Sequence, residues 1–303
     1  MAVFQLGPIL KARREELGLS QEDLADGICS VPTLSRIENG ERMPTKNHFE
    51  MLMQRLGYSA MSLDFFSGKQ TFLLHEIKIK IRYAYIAEDY SLARKHVDEL
   101  ECLLDNPTNI DKQFLILYQT LLNQKQYNNA DKLKRFEDAL QLTCSRYDVG
   151  HIPHVLSYEE IILLNNIAIC YENVGSRDRA IFILYTLKDY YERHMISADE
   201  ALRTQLMVLY NLSKFLGLAG RYDECIEICD LGIRIARTTG RCQSLARTLY
   251  NRGWALLRRN YVGDSELAEI SLKQAYYFST VMENYQDTEY IGNVYEQSFG
   301  KRI

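Results

Sequence analysis

The sequence predicts an all-α protein built from two domains. Helix breakers are scarce, because the 303 residues include 5 Pro and 16 Gly, where average usage would give roughly 15 and 21. Almost no segment alternates with the period of two that is typical of half-buried strands. Apolar residues instead recur at i, i+3, i+4 and i+7 in stretches such as 161–171 and 202–218. These observations favour helices along the whole chain and argue against a turn-rich β-sandwich.

The lengths of the predicted helices change near residue 67. The first 66 residues contain short helical segments separated by polar turns, and residues 67–70 form a small polar break. From residue 71 onward the chain consists of amphipathic stretches of about 15–20 residues, the spacing of a helical repeat. We therefore predict one domain over 1–66 and a second over 71–303.

Composition and the first residues bear on the compartment. The net charge of −4 argues against a protein coated all over in nucleic acid, since such proteins carry a strong basic excess. The N-terminus lacks the features of a signal peptide, and no run approaches the roughly 18 apolar residues of a membrane span. Seven scattered cysteines are then expected to be reduced thiols. We expect a cytoplasmic protein.

Two short helices with a tight turn between them stand out in the first 66 residues. Ser20 is a natural N-cap, with Asp23 at the third helical position as in a capping box. This helix is predicted to end near Gly27. A second helix is predicted over about 31–38, ending at Asn39-Gly40, a pair suited to positive φ. Together with a basic helix over 8–17, they form a helix-turn-helix unit.

The residues of this unit carry a family resemblance. The run 17–25 (LGLSQEDLA), the run 34–40 (LSRIENG) and Pro44 resemble the Xre/Cro type of helix-turn-helix. The short turn over 27–30 is similar to the variant in peptide-pheromone-sensing (RRNPP-type) transcription regulators of Gram-positive bacteria. The resemblance covers about 60 residues and implies that a homodimer binds a double-stranded DNA operator.

The same resemblance implies roles for individual residues. Gln21 is expected to donate to a DNA phosphate at the start of the second helix. The residues expected to face the major groove are Ser30, Val31, Pro32, Thr33 and Arg36. The expected phosphate contacts are Lys11, Arg13, Arg14, Arg42 and Lys46. Pro32 departs from the polar residue usual in the family.

A module that mediates only protein contacts is the alternative for residues 1–66. This segment holds seven Lys or Arg and nine Asp or Glu, a net charge of −2, so it is not basic overall. The basic residues lie towards its two ends, and the acidic residues concentrate on the second helix. DNA affinity would then come from pairing two weak half-sites in a dimer.

Three segments of the second domain align without gaps and begin at Asn166, Asn211 and Asn251. Each has a small residue two positions later, ends nine positions later in Gly or Asn, and is followed by another amphipathic helix. The spacings of 45 and 40 residues exceed the 34 of tetratricopeptide repeats. We predict about five helix pairs and a closing helix near 287–299.

These units resemble degenerate tetratricopeptide repeats, which implies a right-handed α-solenoid with a concave groove and a dimerisation role for this domain. In such repeats the Asn of the first helix bonds to the backbone of a bound peptide. The residues expected to line the groove are Asn166, Asn211, Asn251, Met207, Tyr210, Lys214, Arg247, Tyr250, Trp254 and Arg258. Three of these are cations that can neutralise a terminal carboxylate. The alternative is that each Asn only bonds a backbone group between helices.

Other chemistry is not supported by the sequence. Cys225 and Cys229 lie at i, i+4, and His151 and His154 share a loop, but neither pair has further ligands at metal-binding spacing. The sequence contains no phosphate-binding glycine loop, nucleophile elbow or HExxH motif. We predict no metal, no cofactor and no enzymatic activity.

The function that follows from the two resemblances is quorum sensing by a DNA-binding transcription regulator, controlled by a short signalling peptide in the groove of the repeats. The alternative is a tetratricopeptide interaction protein that sequesters a protein partner, with DNA binding subsidiary. Neither reading involves a membrane.

Overall fold

The computed structural model describes residues 6–45, 48–49, 51–52, 56, 69–144, 156–193, 199–242 and 244–303. These residues are helices joined by turns, without a strand among them. The all-α prediction is confirmed. No helix in the described ranges is long and apolar enough to cross a membrane. The chain divides into two compact units, Met1–Asn106 and Pro107–Ile303. Of the predicted break over 67–70, residues 67–68 lie outside the described residues, and residues 69–70 begin the long helix Lys69–Ile86.

The first unit contains five described helices. They are α1 (Leu6–Glu16), α2 (Gln21–Ala25), α3 (Val31–Glu38), α4 (Lys69–Ile86) and α5 (Tyr90–Leu103).

The predicted ends of α2 and α3 are confirmed. The Ser20 side chain accepts from the Asp23 N–H, and the Asp23 carboxylate accepts from the Ser20 N–H, which completes the capping box. Helix α3 ends at Asn39, and Gly40 then takes a φ of +73°. That conformation costs glycine little because it has no Cβ. The caps therefore fix the length of both short helices.

Helices α1, α2 and α3 share one apolar core. Leu10, Leu24, Leu34 and Ile37 are each 1% exposed or less, and Phe49, Leu52 and Leu56 complete the cluster. The start of helix α1 lies close to the end of α3. A Cβ added to Gly7 would lie 1.9 Å from the Ile37 carbonyl oxygen. Only glycine permits this approach.

The second unit contains nine described helices. They are α6 (Asn109–Leu122), α7 (Asn129–Gln141), α8 (Tyr158–Asn173), α9 (Arg177–Arg193), α10 (Asp199–Leu218), α11 (Tyr222–Thr239), α12 (Leu245–Arg259), α13 (Asp264–Val281) and α14 (Tyr285–Phe299).

Counted along the described part of the chain, α4 to α13 are five consecutive helix pairs and α14 is the closing helix, in the number that the sequence predicts. The aligned segments lie on α8, α10 and α12, the first helices of three pairs. Their predicted ends are confirmed, since Gly175, Gly220 and Asn260 all have positive φ. Gly253, the small residue of the third segment, permits close packing: a Cβ added there would lie 2.8 Å from Leu272 Cγ, so α12 and α13 pack closely at this point.

Candidate functional site

Helix α3 is the predicted recognition helix of the helix-turn-helix unit. Ser30 caps it, and its hydroxyl accepts from the Thr33 N–H at 3.3 Å. Pro32 lies in the first turn, where its missing N–H leaves no bond unmade. Pro32 is exposed, while Val31 and Thr33 are half-buried. The start of α3 thus offers a mixed apolar and hydroxyl surface, the kind that contacts base edges and thymine methyl groups.

Three of the predicted DNA-contacting cations are exposed. Arg36 is exposed in the last turn of α3, and its carbonyl accepts from the N–H groups of Glu41 and Arg42. This turn brings Arg42 back beside the end of α3. Lys11 is exposed on α1, and the predicted contact Lys46 lies outside the described residues. Arg36, Arg42 and Lys11 are accessible to an anionic partner.

Arg14 and Gln21 are placed differently from these cations. The Arg14 side chain is 9% exposed and its Nε lies 2.6 Å from Glu38 Oε1, while its other donors reach Glu38 Oε2 and the Leu19 carbonyl. The pairing with Glu38 raises the pKa of Arg14. Gln21 Nε2 also donates to Glu38, at 2.7 Å. Arg14 therefore ties α1 to α3 from within, whereas Gln21 uses one of its two amide hydrogens on Glu38.

The second unit contains a cavity of about 350 Å³ between α10, α12 and α14. Six of the ten residues predicted to bind a peptide line it: Tyr210, Lys214, Arg247, Tyr250, Asn251 and Trp254. Four further residues complete the lining: Leu218, Asp287, Tyr290 and Ile291. Three of these four belong to the closing helix. Asp287, Tyr290 and Ile291 have the i, i+3, i+4 spacing of one helical face, which can be read from the sequence. The sequence does not show which earlier helices this face packs against.

Aromatic side chains form the walls of this cavity. Trp254 packs on Gly217, where an added Cβ would lie 3.2 Å from the indole ring, and meets Tyr222 edge-on at 6.0 Å between ring centroids. The ring centroids of Tyr250 and Tyr290 lie 5.4 Å apart, and their hydroxyl oxygens lie 3.1 Å from each other. Burial raises the pKa of Tyr250 and of Tyr210, so both phenols stay protonated.

Of the two cations that line the cavity, Arg247 has an acidic partner, whereas Lys214 does not among the described residues. Arg247 Nε lies 2.7 Å from Asp287 Oδ2, an ion pair that joins α12 to α14. Lys214 is exposed and meets no acidic partner in the described part of the chain. The lining residues therefore carry one net positive charge, located on α10.

Two of the three predicted asparagines hold helices together. Asn211 Nδ2 donates to Asn165 Oδ1 at 2.8 Å, and Asn251 Nδ2 donates to Ser213 Oγ at 3.0 Å. Asn166 instead donates to the Ile162 carbonyl of its own helix. The inter-helix backbone bond of the sequence alternative is therefore seen only for Asn251, which reaches the Tyr210 carbonyl, and Asn251 also lines the cavity.

The remaining predicted groove residues do not line the cavity. Met207 is half-buried on α10, and neither it nor Asn166 or Asn211 belongs to the lining. Arg258 lies at the margin, with its guanidinium 5.3 Å from the centroid of Trp254. Cys225 and Cys229 are buried on α11, where burial raises the pKa of Cys229, and His151 and His154 lie outside the described residues.

Comparison with known proteins adds two findings. Residues 10–62 match the helix-turn-helix family. The whole chain has a known fold. PlcR of Bacillus thuringiensis, solved in complex with the peptide PapR7 and DNA, aligns with a TM-score of 0.72 at 20% identity over 96% of this chain and 99% of its own.

Two other solved structures share this fold over nearly their whole length. ComR from S. thermophilus, in complex with DNA and its signalling peptide ComS, aligns with a TM-score of 0.59 at 15% identity, covering 97% of this chain and 99% of its own. The SHP pheromone receptor Rgg2 from Streptococcus dysgalactiae aligns with a TM-score of 0.56 at 16% identity, with the same coverage. No curated protein matches the sequence.

Proposed function

We propose that this protein is a DNA-binding transcription regulator whose activity is controlled by a short signalling peptide, bound among the repeats of the second unit. The observation that carries the proposal is the cavity that gathers six predicted groove residues, in a chain whose residues 10–62 match the helix-turn-helix family. PlcR and ComR, which share the fold, were each solved with a peptide and DNA. The protein then acts in the cytoplasm by binding and not by catalysis.

The proposed DNA interface consists of the start of α3 and the exposed cations Arg36, Arg42 and Lys11. Arg36 is the residue proposed to read a base, because it is exposed on the recognition helix and its guanidinium can bond a guanine in bidentate fashion. Arg42 and Lys11 are proposed phosphate contacts. Two copies of α3 in a homodimer would read half-sites about 34–36 Å apart or multiples of that distance.

The proposed control is a shift between conformations of the repeats. A peptide that binds one arrangement of α10, α12 and α14 more tightly than another stabilises that arrangement. Because an operator fixes the distance between half-sites, a change that alters the distance between two α3 helices changes operator affinity. The linkage is reciprocal, so DNA must change the affinity for the peptide by the same factor.

The DNA claim is tested with an operator selected from random duplexes by the purified full-length protein. Arg36→Ala is expected to weaken binding by roughly 1–3 kcal/mol and to relax the preference at one base pair. Arg42→Ala is the matched control: it should weaken all sequences alike and lower the salt slope by about one. Unchanged affinity and preference in Arg36→Ala would refute the assignment.

The peptide claim is tested by the fluorescence of Trp254. It is the only tryptophan of the chain and it lines the cavity, so its emission reports on that cavity alone. Suitable probes are synthetic, Trp-free peptides encoded by small exported open reading frames beside the gene. A binding peptide should shift the emission and change operator affinity. If no peptide does either, control by a peptide is rejected.

A further inference from the structure

We propose that α3 recognises the C5-methyl group of a pyrimidine that lies beside a guanine, and that 5-methylcytosine therefore replaces thymine at that position of the operator. This inference rests on the proposed DNA binding, and it specifies which chemical group the start of the helix senses. It makes operator affinity responsive to methylation of cytosine at C5, a modification that alters no base pairing.

The first turn of α3 presents apolar atoms. Pro32 is exposed there, and its ring carries methylene groups and no N–H. Val31 is half-buried beside it. In the major groove, thymine differs from cytosine by its C5-methyl group and by an acceptor in place of a donor. Apolar side chains contact the methyl group, and they have no means of reading the donor or the acceptor.

The two hydroxyls at the start of α3 bond to each other. Ser30 Oγ lies 2.9 Å from Thr33 Oγ1 and also accepts from the Thr33 N–H at 3.3 Å. Because Thr33 is β-branched it is stiff at χ1, and this bond holds its hydroxyl towards the cap. The methyl group of Thr33 is thereby fixed in one orientation. The first turn is therefore better suited to contact a methyl group than to bond a polar base edge.

The rest of α3 offers one exposed polar side chain, that of Arg36. Asn and Gln, the residues that bond adenine, are absent from the eight residues of this helix. Glu38 is of the type that accepts from cytosine, but it is 2% exposed and binds Arg14 and Gln21. Arg36 meets no acidic partner in the described ranges. Guanine is thus the base that α3 is equipped to bond directly.

The methyl-contacting turn and Arg36 lie on one face of the helix. Pro32 and Thr33 precede Arg36 by four and three residues, the spacing at which helical side chains are neighbours. In zinc fingers, side chains three positions apart on the recognition helix contact successive bases. The same spacing here places the methyl group and the guanine in neighbouring base pairs. Thymine and 5-methylcytosine carry the same methyl group at C5, so apolar atoms accept either base.

Duplexes that differ by one methyl group test the inference on the unaltered full-length protein. The operator is first selected from random duplexes. Each thymine of the half-sites is then replaced in turn by deoxyuridine, which removes only the methyl group. At the responsive position, the T·A pair is next replaced by a C·G pair that contains either cytosine or 5-methylcytosine. Affinity is measured by fluorescence anisotropy at one salt concentration, because phosphate contacts make it depend on salt.

The expected result is one methyl contact in each half-site. Deoxyuridine should weaken binding about fourfold in one half-site, which equals the roughly 0.8 kcal/mol of one buried methyl group, and about 15-fold in both. 5-Methylcytosine should bind within about twofold of thymine, whereas cytosine should bind as weakly as deoxyuridine. The responsive thymine should lie next to the guanine whose preference is lost in Arg36→Ala. Deoxyuridine outside the half-sites is the control and should leave the affinity unchanged.

Matched substitutions of Pro32 and Thr33 identify the side chains that sense the methyl group. The double variant Pro32→Ser/Thr33→Ser removes the apolar groups and keeps a hydroxyl at residue 33 for Ser30. Its affinities for thymine and deoxyuridine should become equal. Thr33→Val keeps a methyl group and loses the hydroxyl, so it should retain the preference for thymine over deoxyuridine.

The outcomes distinguish this inference from the proposed function. If deoxyuridine binds like thymine at every position, or if 5-methylcytosine binds as weakly as cytosine, α3 does not read the methyl group and the inference is overturned. A preference for thymine that persists in the double variant overturns it as well. DNA binding would still stand in each case. If the protein selects no duplex at all, DNA binding itself fails, and the inference falls with it.

Discussion

The buried ion pair between α1 and α3 gives a sharp test of what stabilises the recognition helix. Arg14 donates twice to Glu38 and once to the Leu19 carbonyl, and the two side chains are 9% and 0% exposed. Arg14→Met removes all three bonds and leaves the Glu38 carboxylate buried with a single donor, from Gln21. Removing one partner of a buried pair costs about 3–5 kcal/mol.

Amide hydrogen exchange of the full-length protein measures this cost locally. Peptides from residues 6–45 should lose protection in Arg14→Met by about that amount. Glu16→Gln is the control, because it removes a surface pair whose glutamate is 64% exposed and should cost less than about 1 kcal/mol. Equal protection in the two variants would show that the pair does not stabilise the unit.

The double variant Arg14→Met/Glu38→Leu separates packing from DNA contact. It removes the uncompensated carboxylate, and apolar replacement of a buried pair is often neutral or stabilising, so protection should return. Its operator binding should then keep the salt slope of the unaltered protein. A slope lower by about one would mean that Arg14 neutralises a phosphate, and the structural interpretation would be wrong.

Two further predictions concern the repeats. Gly253→Ala should destabilise the protein by about 1–3 kcal/mol, since the new methyl group meets Leu272 Cγ at 2.8 Å. Gly232→Ala, whose nearest contact is 3.5 Å, should be neutral or stabilise it by up to about 1 kcal/mol; thermal unfolding distinguishes the two. Lys273, Lys301 and Tyr295 lower the pKa of Glu269 from 4.5 to about 2, so its stabilisation is complete above pH 4.5 and is lost as pH falls towards 2. Between about pH 5 and 3 the unfolding temperature should therefore fall less steeply in Glu269→Gln than in the unaltered protein, and equal slopes would refute the role of this carboxylate.

Local signals in the sequence predicted the elements well. Ser20, Asp23 and Gly40 determine where α2 and α3 begin and end through caps and positive φ, which involve only neighbours in the chain. Gly175 and Asn260 mark the ends of repeat helices for the same reason. These features depend on residues three or four positions apart, so one sequence suffices to find them.

The uses of polar side chains depend on partners that are distant in sequence and were not predictable in the same way. Arg14 meets Glu38 across 24 residues, and nothing in the run around Arg14 distinguishes it from its exposed neighbours. Asp287 joins Arg247 across 40 residues, and that contact depends on how the closing helix packs. The residue types that line the cavity and the helical faces that carry them were therefore predictable. The ion pair between Arg247 and Asp287, which leaves the net positive charge of the lining on Lys214, was not.

Asn251 connects the cavity to the packing of the repeats. Its amide donates to Ser213 and to the Tyr210 carbonyl on the preceding α10 helix, and both Asn251 and Tyr210 line the cavity. A ligand that accepts from Nδ2 competes with these inter-helix bonds, whereas a ligand that donates to Oδ1 leaves them in place. Since a ligand shifts a conformational equilibrium only through a difference in affinity, the two modes have opposite consequences for the contact between α10 and α12. Binding through Oδ1 stabilises the packing seen here, so such a peptide should increase the hydrogen-exchange protection of α10 and α12.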